Sequence, residues 1–182
     1  GYLRAARALT ERYGALIVID ELQTGIGRTG KWFAYQHEGV LPDAVTVAKG
    51  IAGGVPLGAM VTFGAASGLL QRGDHGSTFG GNPFATAVAN AVLTEIEDAD
   101  LIGNADRRGR EIRAAVEAMR SPLVTDVRGR GLLIGVGTTA DAAPAIAAAA
   151  LEQGLIVNAI NPTSVRIAPP LIVGDDEVAA FT

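Results

Sequence analysis

The sequence predicts an α/β protein in two parts, a piece of an α/β sheet followed by a smaller α+β unit. Three observations carry this. Short apolar runs, Ala15–Ile19 and Ala44–Ala48, read as buried strands, and each is followed by a charged residue, Asp20 or Lys49. Helical patterns alternate with such runs along the whole chain. With 182 residues, 48% of them hydrophobic and 19% charged, the chain can bury a core, and its Gly, Ala, Val, Leu and Ile content argues against disorder.

In order, Tyr2–Tyr13 reads as a helix that stops at Gly14, a suitable left-handed cap. Strands are expected at 15–19, 44–48 and 58–63. Asn82-Pro83 opens a long helix, with Asn as N-cap and Pro at its first position. Phe84, Val88, Val92 and Ile96 recur along that helix as its apolar face. The composition shifts between Asp98 and Gly103, which divides the chain into 1–98 and 99–182. The second part predicts a charged amphipathic helix over 102–119 and strands at 124–130 and 132–136. An alanine-rich helix over 142–153, strands at 155–159 and 165–168, and a helix from Asp175 follow. There is neither an internal repeat nor a long low-complexity linker.

Composition also excludes function classes. A net charge of −4, with Arg107–Arg113 as the one basic cluster and no aromatics within it, speaks against nucleic-acid binding. The chain has no cysteine, which suits a reducing compartment. Its imidazoles are His37 and His75, in no HExxH context, so metal chemistry is not expected. No apolar run reaches the ~18 residues that read as a membrane span. The chain starts at Gly1 rather than Met, so its lack of a signal peptide carries no weight.

Gly25-Ile-Gly-Arg-Thr-Gly30 matches the dinucleotide pattern GxGxxG, but its context does not fit. Asp20–Thr24 separates it from the strand, Lys31–Glu38 is a poor helix, and the next strand ends in Lys49 where an acid would be needed. Gly25–Lys31 also fits GxxxxGK, yet the next residue is Trp32, which cannot hold magnesium. The remaining reading is a glycine loop that lets backbone pass close to another chain or a ligand.

Asp20 and Lys49 both follow apolar strands, where open α/β sheets bind ligands. Pyridoxal phosphate asks for that pair. Its aldehyde needs a lysine, and its ring nitrogen needs a carboxylate to stay protonated. Each residue also has a plainer reading, Asp20 as a turn or cap residue and Lys49 as a surface lysine closing a strand.

Three stretches then become specific: Ile19-Asp-Glu-Leu-Gln-Thr-Gly-Ile-Gly-Arg-Thr-Gly30, Ala48-Lys-Gly-Ile-Ala-Gly-Gly54 and His75-Gly-Ser-Thr-Phe-Gly-Gly-Asn-Pro83. In order and spacing they resemble the class III aminotransferases. Gln36–Gly39, Val157-Asn158 and Arg166-Ile-Ala-Pro-Pro-Leu171 resemble the actinobacterial branch that acts on N2-acetylornithine. The resemblance covers essentially the whole chain. It implies a fold-type I transferase, with 1–98 as the C-terminal portion of a mostly parallel large domain and 99–182 as a small C-terminal domain. It also implies that an N-terminal half, with a phosphate loop, a ring-stacking aromatic, a substrate arginine and an acidic switch residue, lies outside this chain. By the same resemblance the last helix continues beyond Thr182.

The resemblance implies roles for matching positions. Lys49 would form the Schiff base with pyridoxal 5'-phosphate and move the substrate proton. Asp20 would pair with the ring nitrogen, and Gln23 would hydrogen-bond the ring oxygen, with Glu21 and Leu22 beside them against the cofactor. Leu22 stands where the family more often has valine. Thr78 would bind the cofactor phosphate of a neighbouring subunit, which implies a homodimer, and Ser77 would touch the substrate. Arg166 would capture a substrate carboxylate. The plainer readings are a turn glutamine at Gln23, helix capping by Ser77 or Thr78, and a solvated edge-strand arginine at Arg166; Arg128 and Arg130 are taken as structural. The implied reaction is transfer of the terminal amine of N2-acetylornithine to 2-oxoglutarate, a step of arginine biosynthesis, in the cytoplasm and without membrane or nucleic-acid partners. Ornithine, succinylornithine or 4-aminobutyrate as donor, a non-catalytic remnant that only dimerises, and an aminomutase remain alternatives. Gly76–Phe79 and the Arg166 segment favour the transferase over the mutase.

Overall fold

The computed structural model describes residues 1–139 and 141–181. The chain divides into two compact units: Gly1–Gly27 with Lys31–Ala99, and Asp100–Thr182 with the short insert Arg28–Gly30.

The first unit is built on a three-stranded sheet in the order β1 (Val18–Asp20), β2 (Ala44–Val47), β3 (Ala59–Thr62). β1 and β2 run parallel, with Asp20 opposite Thr46, whereas β3 is antiparallel to β2. The expected mostly parallel sheet is thus represented by one parallel and one antiparallel pairing. β2 is the buried centre, with Val45 and Val47 inside. β1 is shorter than its apolar run because the Asp43 carboxylate takes the Ile17 N–H at 2.7 Å, ahead of the regular ladder. Asp43 also pairs with Arg7 of α1 (Tyr2–Arg12) at 2.8 Å.

Helix α2 (Pro83–Asp98) has the expected start: the Asn82 side chain accepts from the Ala85 N–H at 2.9 Å, with Pro83 at the first position. Its buried face differs from the expected one. Ile96 is buried as expected and Val88 and Val92 are half-buried, but Phe84 is exposed and Ala85 and Ala89 are buried beside them. The reason is close packing. This helix lies against the tight turn Lys49–Ala52. Small side chains let the helix approach the turn's backbone, and a Cβ on Gly53 would sit 3.1 Å from Val92.

The second unit packs helices against a four-stranded antiparallel sheet in the order β4-β5-β7-β6. The strands are β4 (Val124–Arg130), β5 (Leu133–Thr138), β6 (Asn158–Asn161) and β7 (Ser164–Ile167), with helices α3 (Leu101–Ala118), α4 (Ala143–Glu152) and α5 (Asp175–Phe181). Its core joins Ile112 and Val116 of α3 to Ile134, Val136, Val165 and Ile167 of the sheet. β6 lies later than its expected 155–159, since α4 unwinds through Gly154, with Leu155 N–H still bonded back to Ala150 O. Register then pairs Asn158 with Arg166 across the β6–β7 hairpin.

The insert Arg28–Gly30 explains the glycine loop. The Leu132 N–H donates to Arg28 O at 2.9 Å, and the Arg28 guanidinium donates to the carbonyls of Leu132 and Pro169. A Cβ on Gly131 would lie 2.5 Å from Thr29 C and 2.6 Å from Arg28 O. Behind it, Gly109 of α3 meets the Gly131 carbonyl. The loop is followed by turns and a short 3₁₀ segment, Ala34–His37, not by the long helix a nucleotide site needs. The close backbone approach is made by Gly131 to Arg28 and Thr29, while a Cβ on Gly30 would meet the Asp106 side chain and one on Gly25 the Glu21 carbonyl of its own turn.

No helix among the described residues is long and apolar enough to cross a membrane. No cluster of potential metal ligands occurs among them either.

Candidate active site

Parallel pairing of β1 and β2 brings Asp20 and Lys49 to the same, C-terminal end of adjacent strands. The Glu21 N–H donates to Thr46 O at 2.9 Å, which carries the ladder one residue past Asp20. The chain then turns. One Asp20 carboxylate oxygen accepts from the Leu22 N–H at 2.9 Å, so Asp20 does serve as a turn residue. The second oxygen has no partner among the described residues, and the side chain stays exposed. Turn duty and ligand duty are therefore compatible in one carboxylate.

Lys49 is exposed and forms no ion pair among the described residues. Its backbone is in the left-handed region, φ +50°. For a residue with a Cβ this conformation costs on the order of 1–3 kcal/mol and persists only where surroundings over-determine it. Those surroundings are visible. Ile51 and Ala52 of the same turn are buried, and α2 packs against it. The strand end is thus firmly held while the ammonium remains free.

Glu21 departs from the expectation. Its side chain is 1% exposed and faces inward. Oε1 accepts from the Tyr35 N–H at 2.9 Å, and Oε2 accepts from the Thr24 hydroxyl. Both oxygens are committed inside the unit, so the carboxylate is not presented to a ligand; Glu21 ties the turn to residues 33–37 instead. Burial, then the Glu21 charge, raises the Tyr35 phenol above its ordinary pKa. Leu22 is half-buried and Gln23 exposed on the same turn.

Ser77 and Thr78 lie on an exposed loop of the first unit. Neither caps α2, because Asn82 does so itself while its amide donates to Phe79 O at 2.9 Å. Capping therefore does not account for these hydroxyls. Ser77 and His75 line an open hollow together with Gly58, Thr62 and Ser67.

Arg166 lies on β7 of the second unit, half-buried, with no carboxylate partner among the described residues. Its Nη2 donates to Asn158 Oδ1 at 3.2 Å, and its Nε is buried without a partner. Among the side chains without an expected role are Arg28, which burial drives to a lower pKa, and Asn158. Arg28 had a visible cue, a cation inside a glycine loop with no phosphate context.

A free amine and a carboxylate with one spare oxygen at neighbouring strand ends, with an exposed amide beside them, are the donor set that pyridoxal 5'-phosphate requires. The residues present fit that cofactor.

Comparison with known proteins agrees. The sequence profile of the family Aminotransferase class-III matches residues 1–182. The acetylornithine aminotransferase of Streptomyces coelicolor is 56% identical over 182 residues, which are 100% of this chain and 45% of that protein. That of Mycobacterium leprae is 51% identical over 181 residues, 100% of this chain and 45% of its own length. The chain thus spans under half the length of these curated relatives. Among solved structures, acetylornithine aminotransferase from Elizabethkingia anophelis superposes with a TM-score of 0.90 at 34% identity, covering 100% of this chain and 47% of that one. Ornithine aminotransferase from Toxoplasma gondii gives 0.92 at 35% identity, covering 100% and 44%. The cofactor of this family is pyridoxal 5'-phosphate. With its α/β fold and paired strand-end charges, the chain belongs to the class-III aminotransferases.

Proposed function

We propose that this chain carries the lysine side of a pyridoxal-phosphate site that transfers the terminal amine of N2-acetylornithine to 2-oxoglutarate, in arginine biosynthesis. The observation that carries the reading is the placement of Asp20 and Lys49 at the ends of adjacent parallel strands. The donor is chosen from the relatives named acetylornithine aminotransferase.

When bound, the cofactor supplies an aldehyde that captures amines and a conjugated ring that takes up an electron pair. Lys49 would hold the cofactor through its aldehyde, and its Nζ would move the proton of the substrate's amine-bearing carbon. Asp20 would hold the ring nitrogen through its spare oxygen, and Gln23 would donate to the ring oxygen. Arg166 takes a substrate carboxylate as a bidentate partner. Thr78 would hold the cofactor phosphate of a second subunit, with Ser77 at the substrate, so the proposed working form is a homodimer. The exposure of both hydroxyls supports that reading. The absence of cysteine supports a cytoplasmic setting.

The test is to load the complete-length protein with pyridoxal 5'-phosphate, reduce with borohydride, and map the modified peptide. Label belongs on the peptide containing Lys49; label elsewhere overturns the site. Loaded protein that exchanges ornithine, succinylornithine or 4-aminobutyrate with 2-oxoglutarate, but not N2-acetylornithine, overturns the donor. Sedimentation showing a monomer at working concentration overturns the shared site.

A further inference from the structure

The left-handed backbone of Lys49 is fixed from both sides. Upstream, Val47 is paired with Ala59 of β3. Gly58 lies so close to that strand end that a Cβ there would be 3.5 Å from the Val47 carbonyl oxygen and 3.9 Å from the Ala48 Cβ. Ala48 is then fully extended, at φ −160° and ψ −149°. Downstream, the Ile51 N–H returns to the Ala48 carbonyl at 3.3 Å, and Ile51 and Ala52 are buried. The turn closes on Gly53, itself left-handed at φ +57°, whose N–H donates to Gly50 O at 3.4 Å. Helix α2 lies on this turn. Its Val92 fills the space where a Gly53 side chain would begin, with one methyl 3.1 Å from the ideal Cβ position.

We infer that Gly53 and Val92 are positioning residues for Lys49: their contact seats the turn 49–52 against α2, holds Lys49 left-handed, and so sets the direction in which its side chain leaves the strand end. The inference rests on the reading of Lys49 as the residue that holds the cofactor aldehyde. The physical logic is geometric. A left-handed residue points its Cα–Cβ bond to a different side of the chain from a right-handed one, so a change at this one φ re-aims the whole stem that carries Nζ. Right-handed backbone is the lower-energy state for any residue with a Cβ, so Lys49 stays left-handed only while the buried part of the turn holds it. Gly53 has no side chain and Val92 is half-buried on α2, so both act through the turn.

The experiment uses the complete-length protein. Without cofactor, Lys49→Gly is expected to melt about 2 °C above Lys49→Ala, because glycine enters positive φ without strain. With cofactor, Gly53→Ala pushes a Cβ into Val92, and the double variant Gly53→Ala, Val92→Ala removes that overlap while keeping the alanine. Gly53→Ala is expected to lower kcat about tenfold with KM within about twofold, as overpacking a closed contact implies. It is also expected to shift the pH midpoint of the visible band that pyridoxal 5'-phosphate gives on Lys49. The double variant is expected to recover about threefold in kcat and part of the band shift. Val92→Ile enlarges the same contact from the α2 side without touching φ at Gly53, so it keeps the test open if Gly53→Ala does not fold; its expected fall in kcat is about threefold. A purely structural role lowers the thermal midpoints of these variants but leaves kcat and the band midpoint at parent values. That result overturns the inference, as does Lys49→Ala melting above Lys49→Gly, or a double variant no better than Gly53→Ala. If borohydride fixes the cofactor on Lys49 while the variants keep the parent's kcat and band, the inference fails and the reading of Lys49 stands. If it fixes the cofactor on another lysine, that reading fails and takes the inference with it.

Discussion

Replacing Glu21 tests whether a buried carboxylate holds the turn that carries Asp20 and Gln23. The side chain is 1% exposed, with Oε1 on the Tyr35 N–H at 2.9 Å and Oε2 on the Thr24 hydroxyl. Each hydrogen bond to a charged group contributes about 1.5–3 kcal/mol net. Glu21→Gln keeps an acceptor for Tyr35 N–H, and the Thr24 hydroxyl can rotate to accept from the new amide, so the cost is about 1 kcal/mol. Glu21→Ala leaves the Tyr35 N–H, in a residue 7% exposed, without its acceptor and opens a void. Thr24 is half-buried and recovers water. The sum is about 3–5 kcal/mol. Urea unfolding reads both numbers. Trp32, the sole tryptophan, sits beside Phe33 at the entrance to the 33–37 segment, and its fluorescence reports local loosening before global unfolding. The Ala variant should also bind pyridoxal phosphate more weakly while Lys49 remains the residue fixed by borohydride. Equal costs for Gln and Ala, or an Ala cost under about 1 kcal/mol, refute the idea that this carboxylate is an organising contact.

Gly109→Ala sets two effects of opposite sign against each other. Alanine should gain about 1 kcal/mol inside α3, yet its Cβ meets the Gly131 carbonyl, with even the Gly131 Cα only 2.8 Å away. Backbone cannot yield there, so a net loss of about 3 kcal/mol in denaturant unfolding is expected, and a gain refutes the packing. Gly14→Ala, at φ +62° with nothing within 4 Å, should lose only the conformational cost of about 1 kcal/mol. The Asp43 carboxyl is held below its ordinary pKa by the Ile17 N–H and then by Arg7. Its contribution is therefore present above the ordinary carboxylate range and lost as pH falls through the lowered value; Asn at 43 should flatten that acid limb in urea midpoints measured from pH 7 downward. Arg28→Met strips donors from the Leu132 and Pro169 carbonyls, so it should cost about 2 kcal/mol and speed amide exchange across 165–171.

Much of the frame was legible because its cause is local. A strand buried on both faces must read as an apolar run, so β2 stands out, and Lys49 stands out as the charge that follows it. The Asn82-Pro83 start of α2 is written in two residues and occurs as written. What was not legible depends on distant partners. Nothing in Phe84, Val88 and Val92 says that the helix will lie on a turn needing small residues, so that Ala85 and Ala89 face inward as well. A glutamate next to an aspartate reads as turn polarity; burying it requires a backbone N–H at Tyr35, and only the folded loop supplies one. Asn158 takes its meaning from register, and register on β6 follows β7 rather than the apolar letters Leu155–Val157.

The glycine loop shows the same dependence at a motif. Glycines at Gly25, Gly27 and Gly30 say that something must come near the backbone, and a phosphate and a neighbouring peptide make the same demand. Spacing alone cannot separate them. Context can: a phosphate site needs a strand before the first glycine and a helix whose N–H groups point at the anion. Here the strand stops at Asp20, turns follow, and the space a phosphate would take beside Arg28–Gly30 is filled by Gly131, with Gly109 behind it. Arg28 then fits the protein's own chemistry, since its donors meet the carbonyls of Leu132 and Pro169 rather than an anion. The pattern that most resembled a cofactor loop therefore marks a backbone crossing, and the two charges proposed to hold the cofactor follow the strands on either side of it in the sequence.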